Sequence, residues 1–545
     1  PTRYRPELIE EYRRKGYWTA TTPVDLWDRN ARDHPSREAV ADPERSLTWA
    51  QAKEAIDRLA LGLLELGFHR DDMLVSQLPN CVELCLLRVA AEKAGILFLP
   101  ANRLLRDREM EYILGHTQAM GVVIPWKFRD FDHFAMVEAL QGSLPNLKHV
   151  IVTGDPVPPG AVSLEGMLHN PLEGKYSPDF LENTKLPATE FSLVGHTTGT
   201  TGFPKFVELP ISADMYLGRL TIDALRLSTD DALLALTPAT VGPNVPVYFS
   251  APEVGAKMVM LPVFEAEEAL RLCQEERITV LCAVPAMLAM MVECPQLERY
   301  DMSSLRVVSA AGASIPHALA LAVESKLGCP LTQLYGAVDA SGLTRTTLDD
   351  PPDARHLTAG RPFPGNEVKL VDASGREVPR GEVGEIMARG PTMDVAYFRD
   401  PEATWATWTR DGWRRLGDLG RMDEQGYLSI VGRESDMIIR GGQNIYPAEI
   451  EGLLLAHPQV SAAAVVRMPD RVLGERACAY IVLKPGGELS FEEMVSFLRG
   501  KKIASYKLPE RLEVLEELPL AGGQKVDKKA LEQDVSGKLG AEGKL

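Results

Sequence analysis

The sequence predicts an α/β chain whose parallel sheets are covered by helices on both faces, followed by a β-rich stretch and a small α+β lobe. Three observations predict this. Helical patterns alternate with short apolar, β-rich runs up to about residue 365; beyond it, short alternating runs surround Gly- and Asp-rich turns; and residues 436–545 carry helix and strand patterns of their own. At 545 residues the chain exceeds what one core can organise, so two to four compact units are expected.

The elements follow in order. The start, "PTRYRPELIEEYRRKGYW", is charged and aromatic and does not read as a signal peptide. "SLTWAQAKEAIDRLALGLLELGF" (46–68) has apolar residues at three- and four-residue spacing, an amphipathic helix ended by Gly67. "GVVIP" (121–125), "HVIVTG" (149–154), "ALLALTP" (232–238), "KMVMLP" (257–262) and "ITVLCAVP" (278–285) are short β-rich runs closed by turn residues. Nearly continuous apolar strands separated by helical segments imply strands buried on both faces. The longest apolar run, Ile278 to Val292, is broken by Pro285 and falls short of the roughly 20 residues of a membrane span. "NEVKLVD", "GEIMARG" and "YLSIVG" then alternate as antiparallel hairpins or a small barrel would. In the last lobe "PAEIEGLLLAHP" and "SFEEMVSFLRGKK" read as helices, and "VSAAAVVRMPD" and "ERACAYIVLKP" as strands. No internal repeat is present, and the Gly/Lys-rich tail after Asp534 is expected to fray.

Composition narrows the function. The formal net charge of −17 argues against a nucleic-acid footprint, and an acidic chain that binds an anion must do so locally, with backbone N–H groups, a few Lys or Arg, or a metal ion. The seven cysteines (81, 85, 273, 282, 294, 329, 478) are scattered and odd in number, as for free thiols in a reducing compartment. A cytoplasmic protein is expected.

The densest chemistry is in "HTTGTTGFPK" (196–205). A tight turn accounts for its glycines and proline, but not for four hydroxyls and a cation. It lacks the G-x-x-x-x-G-K-[ST] spacing of a Walker loop, yet the chemistry is of phosphate type. Glycines let backbone close round an anion, Thr197, Thr198, Thr200 and Thr201 donate to phosphate oxygens, and Lys205 adds charge. Three later stretches point the same way. In "QLYGAVDAS" (333–341) the Tyr335 ring can stack on a purine beyond the Tyr335–Gly336 turn, and Asp339 can hold Mg²⁺. In "RRLGDLGRMDEQGYLSIVGRESDMIIRGGQNIYPAEIE" (414–451), Asp418 can accept the two hydroxyls of a ribose and Arg433 can reinforce that contact. In "LPLAGGQKVDKK" (518–529), Lys525 follows Gly522–Gly523 on a loop built for movement.

In this order the motifs resemble one superfamily across almost the whole chain: the adenylate-forming enzymes, which include acyl-CoA synthetases, peptide-synthetase adenylation domains and luciferases. The match runs "TTGTTGFPK … YGAVD … GEVGEI … GDLGR … GRESDMIIRGGQNIYPAEIE … GGQKVDKK". The resemblance implies an N-terminal domain, 1–434, of two α/β subdomains with parallel-rich sheets plus a small β-barrel from about 365. It implies a small mobile C-terminal lid, 435–545, hinged at Ser435. By the same resemblance Thr197, Thr198, Gly199, Thr200, Thr201, Gly202 and Lys205 grip the phosphates of ATP. Gly312, Ala313, Tyr335, Gly336, Asp418 and Arg433 hold adenine and ribose, Asp339 takes Mg²⁺, and Lys525 is catalytic. His196, Ala239, Val241, Gly242, Pro243, Asn244, Ala310 and Ala311 line the acyl pocket, and Gly441 and Gly442 border a channel for a thiol.

Within the superfamily, "LIEEYRRKGYW", "TRTTLDD" (344–350) and "KVDKK" are most similar to the stand-alone aryl-acid ligases, such as 2,3-dihydroxybenzoate–AMP ligase. That group has an asparagine soon after its Pro-Ala to read an ortho hydroxyl. Here "TPATVGPNVPVYF" (237–249) places Val241, Gly242 and Pro243 there, with Asn244 two residues late. A less hydroxylated ring or an alicyclic acid is therefore expected, with weak discrimination at that position. Asp339 replaces the usual Glu, Val338 a Thr, Ser435 a charged hinge residue, and Gln524 a glycine. His196 either polarises the substrate carboxylate or closes a strand.

The implied reaction is attack of a carboxylate on the α-phosphorus of ATP, release of pyrophosphate, and transfer of the acyl group to a thiol once the C-terminal lobe has turned. CoA is the expected thiol. The alternative is the phosphopantetheine of an acyl carrier domain in siderophore-type biosynthesis, and a nucleotide sensor without turnover is a third reading. The remaining expectations are a monomer or homodimer, with no nucleic acid and no membrane span among its partners.

Overall fold

A computed structural model describes residues 5–196, 204–237, 242–338, 340–393, 396–441, 443–501, 503–521 and 525–542. It divides into two compact units: residues 1–314, 321–367 and 389–412 form one, and residues 315–320, 368–388 and 413–545 the other.

The first unit is built on two large sheets. One has eight strands and contains the parallel set Met73–Ser76, Leu97–Pro100, Gly121–Pro125 and His149–Thr153. The other has nine, with Ala232–Ala235, Lys257–Met260, Val280–Ala283, Val307–Ala311 and Leu331–Ala337 in parallel. These strands are buried over most of their lengths, which is why they read as continuous apolar runs. The run from Ile278 to Val292 resolves into strand Val280–Ala283 and helix Pro285–Val292, with Pro285 at the first helical turn where its missing N–H costs nothing. The helix expected over 46–68 spans Trp49–Glu65. It starts late because Ser46–Thr48 pairs with Glu38–Ala41, and because Thr48 and Gln51 form a capping box that fixes the first turn. Among the described residues no helix is long and apolar enough to cross a membrane. All seven cysteines are free thiols, six of them buried.

Helix Val82–Lys93 is buried almost all round and carries charge into the core. Lys93 pairs with Asp28 at 2.7 Å and Asp57 at 2.6 Å. Arg88 lies 4.8 Å from the Tyr248 ring centroid and 4.2 Å from that of Phe249, with Asp214 in its field. Burial pushes the Glu92 carboxyl up to about 7, against the pull of Ser192 (Oγ–Oε2 2.8 Å) and of Arg88; Asp25 adds to the rise. The folded chain therefore holds a proton there that the unfolded chain, with a carboxyl near 4.3, releases. Stability should fall as pH rises between those values and level off above about 7. Glu92→Gln is expected to remove that part of the slope and to gain up to about 3 kcal/mol relative to the parent at pH 8. Urea unfolding midpoints at pH 5 and pH 8 measure it; a slope unchanged by the substitution would place the carboxyl in its ionised form.

The second unit contains the β-rich stretch expected as hairpins or a small barrel. It is a four-stranded sheet of Glu367–Val371, Val383–Arg389, Arg414–Met422 and Leu428–Arg433, the last three pairing antiparallel. A five-stranded sheet follows, centred on Val460–Asp470 and Gly474–Leu483. Its strands bury both faces: Val465, Ala477, Ala479 and Ile481 pack with helices Pro447–Leu455 and Phe491–Gly500, while Ala464, Val466, Cys478 and Tyr480 face the other way. That second face corrects one expectation. Residues 535–541 belong to helix Lys528–Ala541, capped by Asp527, whose Leu531, Val535 and Leu539 fall on one stripe and cover this side of the sheet. Gly537 between those positions lowers helix propensity, but burial of the stripe outweighs it.

Candidate active site

The threonine-rich stretch connects two antiparallel strands, Phe191–His196 and Phe206–Pro210, which pair from Phe191↔Pro210 to His196↔Phe206. Thr197, Thr198, Gly199, Thr200, Thr201 and Gly202 lie outside the described residues. The ends of the loop are placed. His196 is half-buried at the end of its strand. The Lys205 ammonium lies 4.9 Å from the ring centroid of Tyr397, which is buried on the neighbouring strand Ala396–Tyr397. A cation over an aromatic face keeps its charge while its position is restricted. Nothing in the sequence near 196–205 signals Tyr397; only the strand pairing brings it under the lysine.

A Cβ added at Gly195 would stand 2.9 Å from Val338 Cγ1, so the end of this strand is pressed against the "YGAV" turn. That turn joins Leu331–Ala337 to Ser341–Arg345 in an antiparallel pair with a register shift between Tyr335 and Gly336. Tyr335 and Gly336 are half-buried there. At Gly336 a Cβ would lie 2.0 Å from the carbonyl oxygen of Ser341, so only glycine fits so close an approach. Asp339 lies outside the described residues.

The carboxyl ends of the parallel strands form the other wall, the edge at which open α/β sheets bind ligands. Ala310 and Ala311 are the last, buried residues of Val307–Ala311, and Gly312 and Ala313 emerge exposed beyond them. Gly312 has φ +90°, and its missing Cβ would stand 3.3 Å from Val284 and 3.9 Å from Pro243. Three loops from three strands thus meet in one apolar corner. Ala239 and Val241 lie outside the described residues; Gly242, Pro243 and Asn244 form a short 3₁₀ turn, followed by a π-helical turn over Pro246–Ser250, a geometry common at functional sites. Asn244 is buried with both ends of its amide engaged by Thr237. Its Nδ2 donates to the Thr237 carbonyl at 2.8 Å, and its Oδ1 accepts from the Thr237 hydroxyl at 2.9 Å. The amide that could have read a substrate here staples its own loop.

In the second unit, strands Arg414–Met422 and Leu428–Arg433 place Asp418 opposite Arg433, with Arg433 Nε 3.3 Å from the Asp418 carboxylate. Ser435 sits in a 3₁₀ turn, Glu434–Asp436, where its hydroxyl donates to Asp436 at 3.0 Å and its carbonyl accepts from Arg467. Gly441, with φ +53°, turns the hairpin Ile438–Arg440/Gln443–Ile445 and donates to the Leu473 carbonyl at 2.8 Å. Gly442 lies outside the described residues. Lys525 is exposed on a two-strand ribbon with Leu520–Ala521; Gly522, Gly523 and Gln524 between them are not described.

Residues 27–398 match the AMP-binding enzyme family, and residues 449–525 match the AMP-binding enzyme C-terminal domain. The chain belongs to the AMP-binding enzyme family. It is 36% identical over 530 residues to triostin synthetase I of Streptomyces triostinicus, covering 96% of each chain. It is 33% identical to the 2,3-dihydroxybenzoate-AMP ligase of Bacillus subtilis (strain 168), covering 99% of this chain and 98% of that one. It is also similar to the crystal structure of the anthranilate CoA ligase AuaEII in complex with anthranoyl-AMP, at 25% identity and a TM-score of 0.87, over 96% of this chain and 98% of that one. The likeness to adenylate-forming enzymes and aryl-acid ligases read from the motifs stands.

Proposed function

We propose that this protein condenses an aromatic or cyclic carboxylic acid with ATP to give an acyl-adenylate and pyrophosphate, then passes the acyl group to the thiol of CoA. The observation that carries this reading is the apolar corner of Pro243, Val284 and Gly312 beyond the carboxyl ends of the parallel strands, in a chain of this family. The named relatives, a 2,3-dihydroxybenzoate-AMP ligase and an anthranilate CoA ligase, support an aryl acid.

In the first half-reaction a carboxylate oxygen bonds to the α-phosphorus, the bond to the bridging oxygen of pyrophosphate breaks, and negative charge gathers on the leaving group. Lys205 and Lys525 are the side chains we assign to that charge, and preorganised cations of this kind are the dominant aid to phosphoryl chemistry. The carboxylate of Asp339 is a hard oxygen donor of the kind Mg²⁺ prefers, and the ion bound there would screen the triphosphate. Asp418, with Arg433 beside it, would accept the ribose hydroxyls. In the second half-reaction the thiolate sulfur attacks the acyl carbon and AMP leaves. The mixed anhydride is reactive enough that positioning suffices.

Acid-dependent pyrophosphate–ATP exchange across benzoate, salicylate, 2,3-dihydroxybenzoate, naphthoate and cyclohexanecarboxylate is the test. Exchange is expected with the less hydroxylated acids; strong preference for the dihydroxy acid would overturn the reading of Gly242, and no AMP from any acid would overturn the function. Addition of CoA without a carrier protein should give the thioester, and failure of that step alone would turn the acceptor to a carrier phosphopantetheine.

A further inference from the structure

Strand Ser341–Arg345 carries an arginine into the core beside the acyl corner. Arg345 is 2% exposed. Its Nη2 donates to the Ser309 hydroxyl at 2.6 Å and reaches the Thr332 hydroxyl at 3.4 Å, while its Nε and Nη1 have no hydrogen-bond partner among the described residues. The nearby ionisable group is the Cys282 thiol, itself pushed up to about 12 by burial and so neutral. Burial, with no carboxylate against it among the described residues, pulls the guanidinium down to about 10, still charged at neutral pH. A buried charge with two idle donors is a costly feature that packing alone does not call for.

Its place gives it a use. Cys282, Ser309 and Thr332 are register partners on three adjacent parallel strands, one row across the sheet. The next row toward the carboxyl ends is Ala311 and Leu334, which pack with Leu217, Phe363 and Val245 next to the Pro243–Asn244 turn. Ser309 and Ala311 are two residues apart on one face of one strand, about 6.6 Å along it. The guanidinium therefore sits one pleat below the apolar corner. Its backbone is fixed on both sides. Thr344 donates to the Ala359 carbonyl at 2.6 Å, and Gly360 approaches so closely that a Cβ there would lie 1.9 Å from the Arg345 carbonyl carbon.

We propose that Arg345 is a specificity-determining residue, whose idle N–H groups bind a hydrogen-bond acceptor on the substrate acid at the end remote from the reacting carboxylate. The acids selected would carry a ring nitrogen, a carbonyl oxygen or a second carboxylate there. This rests on the acid-activating reading above and deepens it: the polar reader absent beside Gly242 is supplied from deeper in the pocket.

The test compares acids of one shape that differ only in the acceptor: benzoate against nicotinate and isonicotinate, and benzoate against isophthalate and terephthalate. The full-length protein, Arg345→Met and Arg345→Lys are assayed by pyrophosphate exchange and by the rise in melting temperature that each acid produces without ATP. The parent is expected to favour at least one acceptor-bearing acid over benzoate by 10-fold or more in kcat/KM, chiefly through KM. Arg345→Met should bring that ratio to within about threefold of unity, and Arg345→Lys should keep part of it. A ratio that Arg345→Met leaves unchanged, whatever happens to its own melting temperature, would make the arginine purely structural and overturn the proposal. So would a parent with no acceptor preference, a result that needs no variant to fold. If no acid supports AMP formation the proposed function fails, while the melting-temperature ratios still decide the role of Arg345.

Discussion

Replacing Lys525 with alanine is expected to slow acyl-adenylate formation about 100- to 1,000-fold, with a far smaller effect on thioester formation from preformed acyl-adenylate. The asymmetry has an electrostatic cause. Cleavage between the α- and β-phosphorus loads charge onto pyrophosphate, and a cation aimed at that charge is worth most when it is greatest. Thiol attack on the acyl carbon displaces AMP and creates no comparable polyanion. Lys525 is exposed on a two-strand ribbon, so truncation should shift stability by no more than about 0.5 kcal/mol and the loss will be catalytic. Exchange kinetics for the first half-reaction and single-turnover thiolysis for the second separate the effects. Equal losses in both would remove the lysine from its assigned step.

Gly336→Ala is expected to destabilise the first unit by about 3 kcal/mol and to raise the KM for ATP, because the new methyl group meets backbone. The added Cβ would lie 2.0 Å from the Ser341 oxygen and 2.9 Å from the Gly342 Cα, and neither can swing aside without opening the hairpin that carries Tyr335. Gly342→Ala is the natural control. Its Cβ would meet the two methyl groups of Leu217 at 2.8 and 2.9 Å, the flexible end of a side chain that can yield. Thermal unfolding of the two variants measures the contrast, and equal melting temperatures would show that the hairpin is softer than its geometry implies.

The parallel strands were legible because burial on both faces forces continuous apolar runs, and "GVVIP", "HVIVTG" and "ITVLCAVP" each contain the strand expected of them. Errors fell where long-range contact outvoted local pattern. The tail helix Lys528–Ala541 is held by a sheet face whose existence its own Gly and Lys content does not announce. The bonds of Asn244 to Thr237, which hold its loop, are likewise visible only in the folded chain. Tyr397 and Arg345 gave weaker signals still. One is an aromatic in a turn-rich stretch, and the other a charged residue in a strand, "SGLTR", where an apolar residue would be the default.

By itself the sequence determined the family and the α/β fold class, since these rest on motifs and apolar periodicity that a short segment must state locally. Only the tertiary structure decided which side chains face one another: Lys205 over Tyr397, Gly312 against Pro243 and Val284, Arg345 beneath Ala311. Those meetings join positions far apart in the chain and are fixed by strand register, which no single stretch of residues encodes.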